Sequence, residues 1–536
     1  MAYYKDLAEY IKALDERGKL VRVSHPVNKD TEIHPLVRLQ FRGLPEEERK
    51  AFYFDNVTDT KGRKYSIPVA IGVLGASPQV YAVGMMCDVS EIAAKWQYAQ
   101  AHPVKPVMAD SGPVQEQVLT GEALARSMGM GQFPIPVSSP GWDIAPYVTS
   151  ASWVTKDPES GIRNVGTYRA HIKAPLRTGI HAAKYFRGIA YHWRKCHKLG
   201  RPLEAAMVVG VPPHVGYVSV SQLPTDVDEF DVAGGIAGEP VPLVKCKTVD
   251  LEVPANADIV MEGTISTTEL EPEAPFGEAT GYVGQREMSF VFTINCITRR
   301  RDPIWQAFIS QYPPSESSVI RQIGSGNAIL ARLRQLGISH VIEPAVHFSN
   351  GSDRYVVLKM AKTDSQEIWQ ALEAMPKQFA AFSKIIVAVD EDIDPWDANM
   401  VNWAITYRCQ PHRDIRIVST HAPDTCDYSV HEPETEYTQV TAFDKEPEKM
   451  PACSVLLMDA TMKWPYPPVS LPKKEYMDEA LRIWQGLGLP QLHLKAPWYG
   501  YDLGNWDDEK EKQAVLAARG EHYETGRLLE QRRLKL

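Results

Sequence analysis

Glu271-Pro-Glu-Ala-Pro-Phe-Gly-Glu-Ala-Thr-Gly-Tyr282 sets three carboxylates, Glu271, Glu273 and Glu278, within eight residues around a Pro-Phe-Gly turn. Pro275 holds φ at about −65°, and Gly277 admits backbone angles closed to other residues. A strand-like segment follows, in which Phe290, Phe292 and Ile294 alternate against their neighbours. Carboxylates on a rigid turn beside a sheet can be partly desolvated, which raises their pKa towards values useful in proton transfer. An acidic surface loop would have the same composition, so the choice between them rests on the rest of the chain.

A chain of 536 residues exceeds what one hydrophobic core supports, and several domains are expected. The net charge of −9 leaves no broad basic footprint for nucleic acid. No apolar run approaches the ~18 residues of a membrane span, and Met1-Ala-Tyr-Tyr-Lys-Asp6 lacks the pattern of a secretory leader. Seven scattered cysteines, without a Cys-x-x-Cys pair, argue against a disulfide framework or zinc knuckle. A reduced, cytoplasmic enzyme is the expectation.

Outward from the turn, residues 246–310 are β-rich, with alternating segments at 249–253, 259–265 and 288–298; they read as a barrel or sandwich. Ala205–Val211 is a buried-strand candidate, and the proline- and glycine-rich stretch 103–145 reads as irregular wrapping. Upstream, Leu7, Ile11 and Leu14 share a helical face within residues 4–17, with Gly18 as a stop, and Leu20–Val23 is strand-like. Ile67–Ser77 reads as a strand entering a small-residue turn that lacks a full phosphate-binding fingerprint. After residue 318 the pattern becomes α/β: a helix over 320–336, strands at 341–342, 355–360 and 384–389, and a capped helix over 365–374. Asp390-Glu-Asp-Ile-Asp394 looks like a metal site in isolation but reads as a strand-end acidic loop, and the last thirty residues form a charged helical tail suited to oligomer contacts.

Several distant stretches then align in order with one family. Arg163-Asn-Val-Gly-Thr-Tyr-Arg-Ala-His171 precedes Thr178-Gly-Ile-His181, Glu229-Phe-Asp-Val-Ala-Gly234 and Lys245-Cys-Lys-Thr-Val-Asp-Leu-Glu-Val-Pro254. Glu262-Gly263, Glu273-Ala-Pro-Phe-Gly-Glu278, Val389–Asp394, Trp403–Arg408 and Asp459–Trp464 follow. Together they resemble the UbiD family of reversible decarboxylases, which use prenylated FMN (prFMN).

The resemblance implies an α+β and α/β multidomain fold: an N-terminal α/β segment (1–120), a central split β-barrel flavin-binding domain (121–318), a C-terminal α/β oligomerisation domain (319–500) and the helical tail (501–536). It implies Arg169, Glu273 and Glu278 as the catalytic trio, with Glu278 the proton donor. The cofactor would bond covalently to the substrate and act as electron sink. Thr167, Tyr168 and Lys184 are implied as further cofactor contacts, and Lys384 could reach the cofactor phosphate. A divalent metal, typically Mn²⁺, with K⁺ nearby, would hold that phosphate through Asn164, Glu229 and a histidine. The usual histidine position falls on Tyr185; His181 could substitute, with His192 and His197 as further candidates, and His171 and His214 could line the cavity. The implied substrate is an aromatic, heteroaromatic or α,β-unsaturated carboxylic acid. An aromatic acyl-CoA such as phthaloyl-CoA, or a non-catalytic subunit, are alternatives; an ordinary FMN oxidoreductase would need a nicotinamide site, for which no fingerprint is visible. The implied partners are a flavin prenyltransferase as supplier and copies of the chain in a homodimer or hexamer.

Overall fold

The computed structural model describes residues 2–182, 188–221, 223–224, 226–347, 354–379, 384–421, 427–430 and 452–536. The first helix, Leu7–Glu16, buries the expected stripe of Leu7, Ile11 and Leu14, and Asp6 caps it by accepting from Glu9 N at 2.9 Å. Strand Leu20–Val23 follows and starts a four-stranded sheet with Ala51–Phe54, Val69–Ile71 and Trp305–Ala307. The last of these comes from beyond the β-rich region, so backbone hydrogen bonds join the N-terminal unit to the central one. The turn after Val69–Ile71 does cradle an anion, but the protein supplies it: Gly72 N and Leu74 N each donate at 3.0 Å to the buried Glu316 carboxylate.

The central unit is a nine-stranded sheet. Its main path runs Arg163–Thr167, Ser152–Lys156, Leu203–Val209, Ile259–Glu273, Glu287–Arg299, Arg177–Ile180, Ala170–Ala174, Tyr147–Val148. Gln117–Thr120, upstream of the expected start of this unit, also pairs with Glu287–Arg299. Arg163–Thr167 and Ala170–Ala174 stand six strand positions apart in the sheet, yet only Tyr168 and Arg169 separate them in sequence. Six steps in a flat sheet cover about 29 Å, whereas Thr167 to Ala170 reaches roughly 11 Å at most. The sheet must therefore curl until its two margins meet, giving a split, barrel-like form with Tyr168 and Arg169 at the seam. A register shift at Glu262/Gly263 helps to bend the long strand; there a Cβ on Gly263 would lie 1.9 Å from Thr293 O, so no larger residue fits. The interior is apolar, with Trp153, Met207, Val260, Phe290 and Phe292 fully buried.

Helix Glu316–Gln335 leads from the anchored Glu316 into a five-stranded C-terminal sheet. Its order is Val341–Val346, Tyr355–Met360, Ile385–Val389, Ala452–Ala460, Ile415–His421, with the three central strands parallel. The acidic run at the end of Ile385–Val389 is an ion-pair site: the buried Arg408 donates to Asp390 and Asp392, each at 2.7 Å, and Tyr501 donates to Asp392 at 2.8 Å. The tail contains helices Asp508–Ala518 and His522–Glu530, neither with a buried residue. Among the described residues no helix is long and apolar enough to cross a membrane.

Two outcomes test this packing. Arg408→Ala leaves Asp390 and Asp392 unpaired and is expected to cost about 3–5 kcal/mol in denaturant unfolding; a loss below ~1 kcal/mol would show that the pairs add little. His34 is buried with Nε2 3.1 Å from Phe308 O, and burial lowers its pKa to about 4 against the opposing effect of that carbonyl. Its neutral form therefore favours the fold above the unfolded pKa of about 6.5, a contribution lost as pH falls towards about 4. His34→Gln should reduce the drop in Tm between pH 7.5 and 5; an unchanged drop would rule out that source of acid sensitivity.

Candidate functional site

The Pro-Phe-Gly turn is the start of a small hairpin. Phe276–Gly277 pairs with Val283–Gly284, and Glu278 N donates to Tyr282 O at 2.8 Å. The positive φ falls on Ala274 (75°) and not on Gly277, which is glycine because a Cβ there would meet Ser139 Oγ at 2.6 Å. Asp143 fastens the turn by accepting from Gly277 N at 3.1 Å and Ser139 N at 2.6 Å.

The three carboxylates of the turn separate. Glu271 points to Lys173 (3.0 Å) and Arg177 (3.4 Å), away from the others. Glu273 ends the long central strand and is fully buried. Arg169, on the seam, donates to it through Nε (2.9 Å) and Nη2 (2.7 Å), a bidentate pair. Its Nη1 meets Glu278, whose side chain is the more open of the two carboxylates, at 21% exposure against 0%. Burial alone would raise the Glu273 pKa, but Arg169 overcomes this and holds it below the usual carboxylate range. His181 Nδ1 lies 3.8 Å from Glu273 Oε2. Phe276 and Tyr147 pack at a tilt of 38° with ring centroids 4.3 Å apart, and the Arg169 guanidinium lies 5.1 Å from the Phe276 centroid.

Arg169, Glu278, His181 and Phe276 face a cavity of about 390 Å³, which Asn164, Thr167, Tyr168, His192 and Glu229 also line. Glu229 opens helix Glu229–Ala237, and its Oε2 accepts from Val165 N at 2.9 Å. Burial pushes its pKa up to about 8, so a full charge there calls for a cation alongside. Asn164 Nδ2 is buried without a hydrogen-bond partner. Among the described residues no three His, Cys, Asp or Glu side chains cluster as a metal centre, so any cation here would need an amide ligand. Asn164 and Glu229 fit that need as hard oxygen donors.

Of the expected site residues, His181 sits beside Glu273 on the Arg169 side. Lys384 is held by Asp427 (2.8 Å) and Ser429 (2.6 Å) and does not line the cavity. Lys184 and Tyr185 lie outside the described residues. Sequence reasoning missed Asp143, Tyr147 and Arg321, the last on the cavity wall from helix Glu316–Gln335. Asp143 and Tyr147 fall at the end of an irregular stretch with no periodicity, so no local signal marked them.

Sequence profiles for 3-octaprenyl-4-hydroxybenzoate carboxy-lyase match its N-terminal domain at residues 11–99, its Rift-related domain at 105–313 and its C-terminal domain at 323–445. The uncharacterized protein sll0936 of Synechocystis sp. is 30% identical over 456 residues, 79% of this chain and 86% of that protein. The chain belongs to the UbiD family. Among solved UbiD-class structures, an evolved dimeric form of HmfF from Pelotomaculum thermopropionicum in complex with prFMN is 28% identical, with a TM-score of 0.72, covering 88% of this chain and 97% of that one. Vanillic acid decarboxylase from Sedimentibacter hydroxybenzoicus, in closed form, shares the fold at 23% identity and a TM-score of 0.75, covering 90% and 100%.

In this UbiD-family chain the Arg169–Glu273 pair should behave as one structural unit. Arg169→Ala alone strands a buried carboxylate and is expected to cost about 3–5 kcal/mol. Adding Glu273→Ala should recover part of that loss, with a coupling of roughly 0.5–3 kcal/mol in a double-mutant cycle. Strictly additive losses in urea unfolding would show that the pair is not coupled.

Proposed function

We propose that this UbiD-family protein catalyses the reversible, non-oxidative decarboxylation of a flat, conjugated carboxylic acid, aromatic, heteroaromatic or α,β-unsaturated, with a prenylated flavin in the cavity beside Arg169. The observation that carries this reading is one guanidinium shared by a buried and a half-open carboxylate at a cavity wall. The relative solved with prFMN supports the flavin. When bound, that cofactor supplies the electron sink that loss of CO₂ from an sp² carbon requires.

The protein's own part follows from charge. Arg169 carries +1 between two carboxylates, so the trio as drawn carries −1 and can accommodate one proton. Glu273, buried and bidentate, stays ionised. Glu278, with a single contact to Nη1 and a face on the cavity, is the group that takes up and gives back the proton. An incoming carboxylate would compete with Glu278 for Nη1, which orients the acid and frees Glu278 as CO₂ leaves. Glu273 keeps the guanidinium from following the substrate. Asn164 and Glu229 would hold a divalent cation, Mn²⁺ as expected for the family, which offsets the charge of the cofactor phosphate.

Glu278→Gln should retain fold and flavin yet lose about 10²–10⁴-fold in turnover, since a positioned acid contributes on that order. The assay is CO₂ release from a panel of aryl, heteroaryl and cinnamate-like acids. Wild-type turnover in the variant would remove Glu278 from the proton step, and activity confined to saturated or β-keto acids would overturn the reaction class.

A further inference from the structure

The hairpin that carries Glu278 consists of two short strands, Phe276–Gly277 and Val283–Gly284. A lone two-stranded hairpin is marginally stable in water, so other groups must hold this one in place. Gly277 and Val283 are directly opposed across it. Glu278 N donates to Tyr282 O one step nearer the turn, which makes Gly277 and Val283 a non-hydrogen-bonded pair. Their own N–H and C=O groups therefore point away from the partner strand, one set towards each edge of the hairpin.

A side chain takes an outward group on each edge. Gly277 N donates to Asp143 Oδ1 at 3.1 Å, and the Tyr428 hydroxyl donates to Val283 O at 3.1 Å. Asp143 belongs to the central unit, whereas Tyr428 comes from the C-terminal one, between Ile415–His421 and Ala452–Ala460. Tyr428 is itself well anchored. Its neighbour Asp427 accepts from Lys384 Nζ at 2.8 and 2.9 Å and lies 3.7 Å from Arg354 Nη1. Those two cations directly precede the paired parallel strands Ile385–Val389 and Tyr355–Met360. The Tyr428 ring also meets Tyr282 edge-on, with centroids 5.7 Å apart.

Glu278 depends on both strands. Its side chain crosses to the second strand, where a Cβ on Gly284 would lie 3.4 Å from Glu278 Cγ. Gly284 adjoins the Val283 that Tyr428 holds. Glu273 is fixed by two hydrogen bonds from Arg169, whereas Glu278 meets the guanidinium at Nη1. The hairpin therefore sets the position of Glu278 more than the guanidinium does. We propose that Tyr428, acting opposite Asp143, is a positioning residue for the proton step: it ties the hairpin to the C-terminal unit and keeps Glu278 on the cavity wall. The leverage is large, because a shift of ~1 Å at a reacting group costs about 10²-fold in rate.

This role rests on reading Glu278 as the proton donor, and the two fail separately. Tyr428→Phe removes the donor to Val283 O and keeps the ring against Tyr282. On the same panel of acids, kcat should fall about 10–100-fold. KM and bound flavin should stay at wild-type values, because Arg169 is untouched. In a Glu278→Gln background the same change should add no further loss, since a residue acting through Glu278 has nothing left to position. Hydrogen exchange at residues 276–284 should be faster in Tyr428→Phe than in wild type, and exchange in Ile385–Val389 should not change. Wild-type kcat in Tyr428→Phe overturns the proposal, and so does a full multiplicative loss in the double variant. Unchanged exchange in the hairpin overturns it too, whatever Glu278 does. Faster exchange together with wild-type turnover in Glu278→Gln would leave the clamp on the hairpin standing and overturn the proton-donor reading.

Discussion

Everything at the site depends on the closure of the central sheet. Two residues, Tyr168 and Arg169, connect strands that stand six positions apart in that sheet, so the chain has no freedom to leave it flat. The seam carries a cation, and the seam is where the cavity opens. Trp153 Nε1 donates to Tyr168 O at 2.9 Å, and the Tyr168 hydroxyl accepts from Ile189 N at 3.2 Å. The backbone that presents Arg169 is therefore held from both sides. A guanidinium placed this way meets Glu273 in a fixed two-point geometry that a flexible loop could not offer.

The second constraint is the sign of the charge at each end of the cavity. At the Arg169 end one cation is shared by two carboxylates, and the local balance carries one excess negative charge. At the Glu229 end a buried carboxylate accepts from a backbone N–H, and among the described residues no cationic side chain hydrogen-bonds it. The first end has a fixed guanidinium; at the second, burial raises the Glu229 pKa to about 8, which favours its neutral form.

The units on either side are not independent modules. Trp305–Ala307 completes the N-terminal sheet, and the Glu316 carboxylate is bound in the turn at Gly72–Leu74. The helix that Glu316 begins supplies Ile320 and Arg321 to the cavity and then enters the C-terminal sheet. A turn with the composition of a phosphate cradle is thus a structural joint, because a buried carboxylate from 240-odd residues away satisfies the same backbone donors.

Read alone, the sequence determined the local elements and the order of the units. The first helix, the strand Leu20–Val23, the long β-rich region and the later α/β region follow from periodicity, which is a property of neighbouring residues. The ordered motifs also singled out Arg169, Glu273 and Glu278, and these three do meet. The tertiary structure alone decided what lies opposite what. Glu271 and Glu273 are two residues apart yet face different partners, because successive side chains of a strand alternate faces. The acidic run after Val389 reads as a strand-end loop from the sequence, but only the tertiary structure supplies Arg408 as its partner. His181 and His192 are indistinguishable as residue types; the tertiary structure sets Nδ1 of His192 2.9 Å from Thr155 Oγ1 and Nδ1 of His181 3.8 Å from Glu273 Oε2. Such choices depend on contacts between residues far apart in the chain, and a local pattern contains no information about them.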